Sequence, residues 1–259
     1  MPKGTEQFRV IIYLSAFFFI VAFQPLLAEG PRVPGKVLDL SAFKLTTHDE
    51  RKALVEILPA QLCAGFSNQY FYNDPDGAVV FRVTSVGETT KGTHYPRTEL
   101  RQLGKGANWQ LDDPALRRLG ARIAVVQVVH EKPSTVIGQI HGNNEPSELL
   151  KLRWTGDKPG ACYVEVRFKR NDAKKDEYGV VLARGLSLGS IVDYTISMQS
   201  GTITVRIGDK TAAQTYTTEF FGNKDRYYFK VGNYLQYSGQ PERFGLNKLY
   251  ALTLDDPLR

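Results

Sequence analysis

Three short segments of this chain carry side chains suited to one chemistry: Tyr95-Pro96-Arg97-Thr98-Glu99-Leu100-Arg101, Gln139-Ile140-His141, and Tyr228-Phe229-Lys230-Val231-Gly232-Asn233-Tyr234-Leu235-Gln236. Each alternates polar with apolar or small residues at period two. A strand puts residues i, i+2 and i+4 on one face. Arg97, Glu99 and Arg101 therefore project together, as do Gln139 and His141. Tyr228, Lys230, Tyr234 and Gln236 share a parity, provided Gly232 does not bulge the strand. Three such strands side by side make a polar face of arginines, an amide, an imidazole, a lysine and phenols. That set is poor for a core. It suits gripping an anionic polymer and moving a proton.

The elements that must position these residues read as strands. Ala78 to Ser85 follows the turn Asn73-Asp74-Pro75-Asp76-Gly77, and Ile123 to His130 precedes Glu131-Lys132-Pro133. Leu149 to Trp154, Tyr163 to Lys169, Ile191 to Gln199, Thr202 to Ile207, Tyr227 to Val231 and a closing Leu246 to Leu254 continue the pattern. Many short strands with regularly spaced turns predict an all-β sandwich or barrel. Val164, Val166 and Phe168 alternate with Tyr163, Glu165, Arg167 and Lys169, and Lys151 and Arg153 share a face. One apolar and one polar face is the mark of antiparallel layers. One helix is predicted, from about Asp49 to Leu58, capped by Thr47 and ended by Pro59. Residues 29–47 read as an extended arm.

The N-terminus reads as a processing segment. Lys3 and Arg9 precede the apolar run Val10 to Phe23, about 14 residues, and Ala28 offers a small residue for cleavage. The alternative, a retained anchor, needs roughly 20 apolar residues. The expectation is a signal segment at 1–28 and one domain at 29–259, secreted or periplasmic and without stable membrane association. The precursor has 33 basic and 27 acidic residues, and removing Lys3, Arg9 and Glu6 leaves 31 against 26. This modest positive balance favours a polyanionic partner if it is focused in a cleft. Nucleic acid is not expected, because no helix-turn-helix, zinc-finger or RNP-type pattern is present. Cys63 and Cys162 are either a disulfide, which export would allow, or two free thiols.

Arg97-Thr98-Glu99-Leu100-Arg101, Gln139-Ile140-His141 and Tyr228 to Gln236 together resemble the three signature motifs of polysaccharide lyase family 7, the alginate lyases, in order and in spacing. A Gln-x-His triplet alone would carry little; the three in order are specific. The resemblance runs from about Asp39 to the final strand, with Val231 in place of a more usual Ala. It implies a β-jelly roll of two packed antiparallel sheets with a concave substrate cleft.

The resemblance also implies a reaction. Alginate is a linear 1,4-linked polymer of mannuronate and guluronate. A lyase removes the C5 proton and expels the 4-linked oxygen, leaving a C4–C5 double bond. Abstraction adds negative charge beside a carboxylate that is already anionic, so donors that neutralise it are the main requirement. By resemblance, Arg97 and Gln139 neutralise, with His141 beside them, and Asn233 lies near the same group. Tyr234 is the catalytic tyrosine, as proton donor or, if nearby cations favour its ionisation, as base. His141 is the other candidate base. Glu99 and Arg101 either hold Arg97 in place or touch sugar. Lys230 and Gln236 bind neighbouring units, and Tyr228 stacks or packs. The Gln-Ile-His form resembles members that accept guluronate-containing blocks, and endo action by a monomer is the expectation.

Rival readings are weaker. A glycoside hydrolase needs two carboxyl groups flanking the bond, and Glu99 has no partner in the other motifs. A non-catalytic polyuronate-binding module would need the groove but not Tyr234 and His141. Glucuronan would satisfy the same carboxylate logic as alginate. No cofactor or metal is called for. His48, His94, His130 and His141 lack close ligand spacing, and Asn73 to Gly77 lacks the further positions of a calcium loop. Ser85 to His94 and Arg170 to Tyr178 read as rim loops, the first as a mobile lid beside the cleft, unless both are plain hairpins.

Overall fold

The computed structural model describes Met1 and residues 33–104, 107–143, 148–171, 177–218 and 226–257. The expected signal segment therefore lies outside the described residues apart from Met1. So does most of the 170–178 loop.

Alternating apolar residues close two antiparallel sheets. The eight-stranded sheet runs β10 (Glu177–Leu186), β9 (Cys162–Lys169), β8 (Glu148–Thr155), β7 (Ser134–Gly142), β14 (Tyr227–Leu235), β5 (Arg97–Gln102), β1 (Phe43–His48), β2 (Leu54–Ile57). The seven-stranded sheet runs β13 (Lys210–Thr215), β12 (Thr202–Ile207), β11 (Ile191–Gln199), β6 (Arg117–Gln127), β15 (Phe244–Asp255), β4 (Val79–Thr84), β3 (Phe71–Asn73). This is the jelly-roll sandwich expected from the sequence. Leu45, Leu100, Phe229, Val231, Ile140, Leu152, Val166 and Phe168 from the first sheet meet Phe81, Leu119, Ile123, Ile196, Val205 and Leu249 from the second. Burying each such side chain stabilises the fold by about 1.5–3 kcal/mol.

The chain departs from the predicted elements near its start. Residues expected as an extended arm form a helical turn, α1 (Pro34–Val37), and then β1. The predicted helix from Asp49 to Leu58 is absent; Leu54–Ile57 is β2, hairpinned to β1. The helix begins where it was expected to end, as α2 (Pro59–Ala64). Pro59 occupies the first helical turn, where its missing N–H costs nothing. The Ile123 strand starts earlier, at Arg117, and stops at Gln127; its outward Arg118, Gly120 and Arg122 obscure the alternation. Cys63 on α2 and Cys162 are free thiols.

The strands that carry the three motifs are adjacent, in the order β7, β14, β5. Their pairing is not uniform. Against β5, β14 runs in unbroken register from Lys230 opposite Arg101 to Tyr234 opposite Arg97. Against β7 it slips between Val231 and Tyr234. The slip leaves backbone groups inside the sandwich, and polar side chains satisfy them. The Tyr194 hydroxyl donates to the Ile137 carbonyl at 2.7 Å, and Asn247 Nδ2 donates to the Gly232 carbonyl at 2.8 Å. Gly232 itself sits at φ +147°, and a Cβ there would stand 2.7 Å from the Thr98 carbonyl oxygen and 2.9 Å from Glu99 Cα.

Replacing Gly232 by Ala is therefore expected to cost about 2 kcal/mol or more in denaturant unfolding. An unchanged unfolding midpoint would mean that the bulge accommodates a side chain.

Candidate active site

The site is built on one buried carboxylate. Glu99, central in β5, is 1% exposed. The Lys230 ammonium reaches its Oε2 at 2.5 Å, Arg97 Nη1 reaches the same oxygen at 3.4 Å, and Gln139 Nε2 donates to Oε1. Burial alone would raise the Glu99 pKa. The charges of Lys230 and Arg97 outweigh it and hold the carboxyl below its ordinary range. Burial also lowers Lys230 to about 8, with Glu99 opposing the fall and Arg97 assisting it. Two cations share one anion, so the cluster has a positive surplus. Arg97 also has donors to spare: its Nε and Nη2 are buried and without a hydrogen-bond partner.

Tyr234 covers Arg97, whose guanidinium carbon lies 3.9 Å from the ring centroid. Tyr95 packs at 6.3 Å beyond it. Burial raises the Tyr234 pKa and Arg97 offsets only part of that rise. The cations therefore do not ionise this phenol in the free protein. It is a proton donor there.

His141 stands on the other side of the Lys230–Gln139 pair, opposite Tyr228. Its ring stacks on Tyr228, centroids 5.6 Å apart. Nδ1 is 2.8 Å from the Gly142 carbonyl and 3.0 Å from the Tyr228 hydroxyl. A carbonyl only accepts, so Nδ1 carries the proton and Nε2 keeps its lone pair. Burial and the charge of Lys230 lower the His141 pKa to about 4, against the pull of the Gly142 hydrogen bond. The imidazole is neutral and basic in form at neutral pH. Arg101 lies over the Tyr228 ring at 3.8 Å and donates to Asn143 Oδ1 at 3.2 Å.

Arg97, Arg101, His141, Tyr228 and Lys230 line a cleft of about 340 Å³ with Asn143, Thr46, Glu56 and the 90–93 loop; Tyr234, Gln139 and Glu99 lie beside or beneath it and are not part of its lining. That loop belongs to the Ser85–His94 rim. It is tied to β1 through His48, whose Nε2 lies 2.9 Å from the Glu88 carbonyl.

Two expected residues fall elsewhere. Asn233 points between the sheets, donating to the Phe81 carbonyl at 3.0 Å and accepting from Thr135 Oγ1 at 2.7 Å. Its parity with Val231 and Leu235 puts it inside, so it ties the sheets together instead of facing the cleft. Gln236 turns back on the Tyr234 and Leu235 carbonyls. Asn143 was missed, although it continues the Gln139, His141 parity. Thr46 and Glu56 were hidden in the segments misread as arm and helix. In the Asn73–Gly77 turn, the Asp74 and Asp76 carboxylates both hold the Lys248 ammonium.

The alginate lyase family model matches residues 38–256. An alginate lyase of Klebsiella pneumoniae is 26% identical over 275 residues, covering 85% of this chain and 90% of that protein. Among solved structures, alginate lyase A1-II′, described as a member of polysaccharide lyase family 7, is 27% identical with a TM-score of 0.76, covering 87% of this chain and 99% of its own. An alginate lyase from Pseudomonas aeruginosa is 25% identical with a TM-score of 0.75, covering 84% of this chain and 99% of its own. Variants of A1-II′ have been crystallised in complex with product (GGG) and with substrate (GGMG).

His141 makes the fold acid-sensitive. Its pKa is about 4 when folded against an ordinary 6.5, so between these values the unfolded chain binds a proton that the folded chain does not. The stability is full above about pH 6.5 and is lost as pH falls towards 4, by up to about 3 kcal/mol. Denaturant unfolding of His141→Gln across this window is expected to show a shallower pH slope than the parent; parallel slopes would contradict the assignment.

Proposed function

The chain belongs to the alginate lyase family and is a polysaccharide lyase acting on alginate; we propose that it cleaves by β-elimination over the Glu99 cluster. A uronate lies across Lys230 and Gln139 with its carboxylate on Arg97. The C5–H bond breaks, its electron pair becomes the C4–C5 double bond, and the C4–O4 bond breaks as O4 takes a proton. Charge delocalised into the carboxylate meets the Arg97 guanidinium and the positive surplus of the cluster, which lowers the barrier. His141 Nε2 takes the C5 proton where that proton faces it, and the Tyr234 phenol protonates O4. Mannuronate and guluronate differ in configuration at C5. Where the C5 proton and the leaving oxygen lie on one side, Tyr234 serves both steps, ionising only with substrate bound. The observation that carries this reading is a cluster with more cations than anions, two of whose members, Arg97 and Lys230, line the cleft.

The action is internal to the polymer. A row of donors crosses the polar face of the sheet, with Lys44 opposite Arg101, Arg101 opposite Lys230, Lys230 opposite Gln139, Gln139 opposite Lys151 and Lys151 opposite Arg167, the lysines and Arg167 each paired with a glutamate. At roughly 4.8 Å per strand the row extends about 24 Å, enough for several sugar units. Guluronate-containing blocks are accepted, supported by the Gln-Ile-His form and by the oligosaccharides written for A1-II′. The enzyme acts outside the cytoplasm as a monomer; the apolar run from Val10 to Phe23 supports export.

The test follows ultraviolet absorbance of the new double bond, using residues 29–259 with polyguluronate, polymannuronate and glucuronan. A rise is expected on alginate blocks, reduced at least about 100-fold in Tyr234→Phe. His141→Ala should lose activity unequally on the two block types. A rise confined to glucuronan, or equal rates in Tyr234→Phe, would overturn the reading.

A further inference from the structure

The donor row ends at the sheet edge against an acid. Lys44 Nζ lies 2.5 Å from Glu56 Oε1. The partners are unequally sheltered, the Lys44 side chain being 13% exposed and that of Glu56 54%. Glu56 lines the cleft beside Thr46 and Arg101, and its strand β2 is the last of the sheet. An exposed carboxylate on the wall of a cleft that takes a polyanion has the unfavourable sign for that ligand.

We propose that Lys44 and the adjacent Arg101 form a subsite for a uronate carboxylate, and that Glu56 is an internal carboxylate that occupies it until the substrate displaces it. This rests on the cleft being the alginate-binding one. The exchange conserves charge, because one carboxylate leaves the ammonium as another arrives. Glu56 is exposed enough to swing into water, whereas the covered Lys44 stem cannot follow it. An ion pair with one solvated partner is weak, so a single uronate contact suffices to break it. Arg101 is held in place for the incoming group by Tyr228 beneath and Asn143 beside it. Glu56 thus sets how firmly a chain reaching β1 is held, and does not touch the elimination itself.

Steady-state kinetics on size-fractionated alginate oligosaccharides test this. Glu56→Gln should lower KM roughly two- to fivefold for oligomers long enough to reach β1. It should do little for the shortest cleaved oligomer, and kcat should move less than KM. In the Glu56→Gln, Lys44→Met double variant the gain should vanish. A gain that is absent, equal at every length, or retained without Lys44 would overturn the proposal; the last of these would mean that Glu56 merely repels the polymer. Wild-type protein that forms no unsaturated product from any alginate would overturn the functional reading and this subsite with it. Normal wild-type turnover with an unchanged Glu56→Gln KM strikes the subsite alone.

Discussion

One buried carboxylate holds the site together. Glu99 lies under the cleft floor with Lys230, Arg97 and Gln139 converging on it. Removing two cations from water is expensive, and without an anion among them Lys230 would shed its proton or the cluster would swell with water. A single glutamate lowers that cost without cancelling the charge. The imbalance of two cations to one anion is the useful part, because a second carboxylate completes it. In the free protein Glu99 already holds Arg97 and Lys230 in place at the cleft, so part of the reorganisation that substrate binding would demand has been met in folding.

The sandwich exists around that cluster in a specific way. β5, β7 and β14 come from distant parts of the chain, and only the jelly-roll crossover sets them side by side. The slip between β14 and β7 turns the Ile137 carbonyl inward to the Tyr194 hydroxyl, and strand parity turns the Asn233 amide inward to the Phe81 carbonyl. Catalytic geometry on the outside is thus locked by polar contacts on the inside. His141 and Tyr234 then occupy opposite sides of the same cationic floor, with opposite proton inventories. Burial keeps the imidazole neutral and the phenol protonated, which assigns acceptor and donor before any substrate arrives.

Much of this was legible in the chain. Period-two alternation in the three motifs places Arg97, Glu99 and Arg101 together, and Gln139 with His141, because strand geometry leaves no other choice. Asn233 departs from what the family resemblance implies, yet the alternation that turns Lys230 and Tyr234 outward also turns it inward with Val231 and Leu235. The β1–β2 hairpin was read as arm and helix because Pro59 is ambiguous between ending one helix and starting the next, and Thr46 and Glu56 were lost with it. The tie between the two rotamers that matter most, Tyr234 over Arg97 and His141 over Tyr228, is a property of packing and leaves no trace in spacing.

The pH profile of kcat for Glu99→Gln against the parent enzyme tests the role of the buried carboxylate most directly. Glu99 holds the Lys230 pKa up against burial, so its loss should depress Lys230 further and release Arg97. A fall in kcat of at least about 100-fold is predicted, with the surviving activity lost at a lower pH on the alkaline side than in the parent. A variant that folds, turns over within a fewfold of the parent and keeps the parent's alkaline limb would contradict it, and would reduce Glu99 to an ordinary buried ion pair.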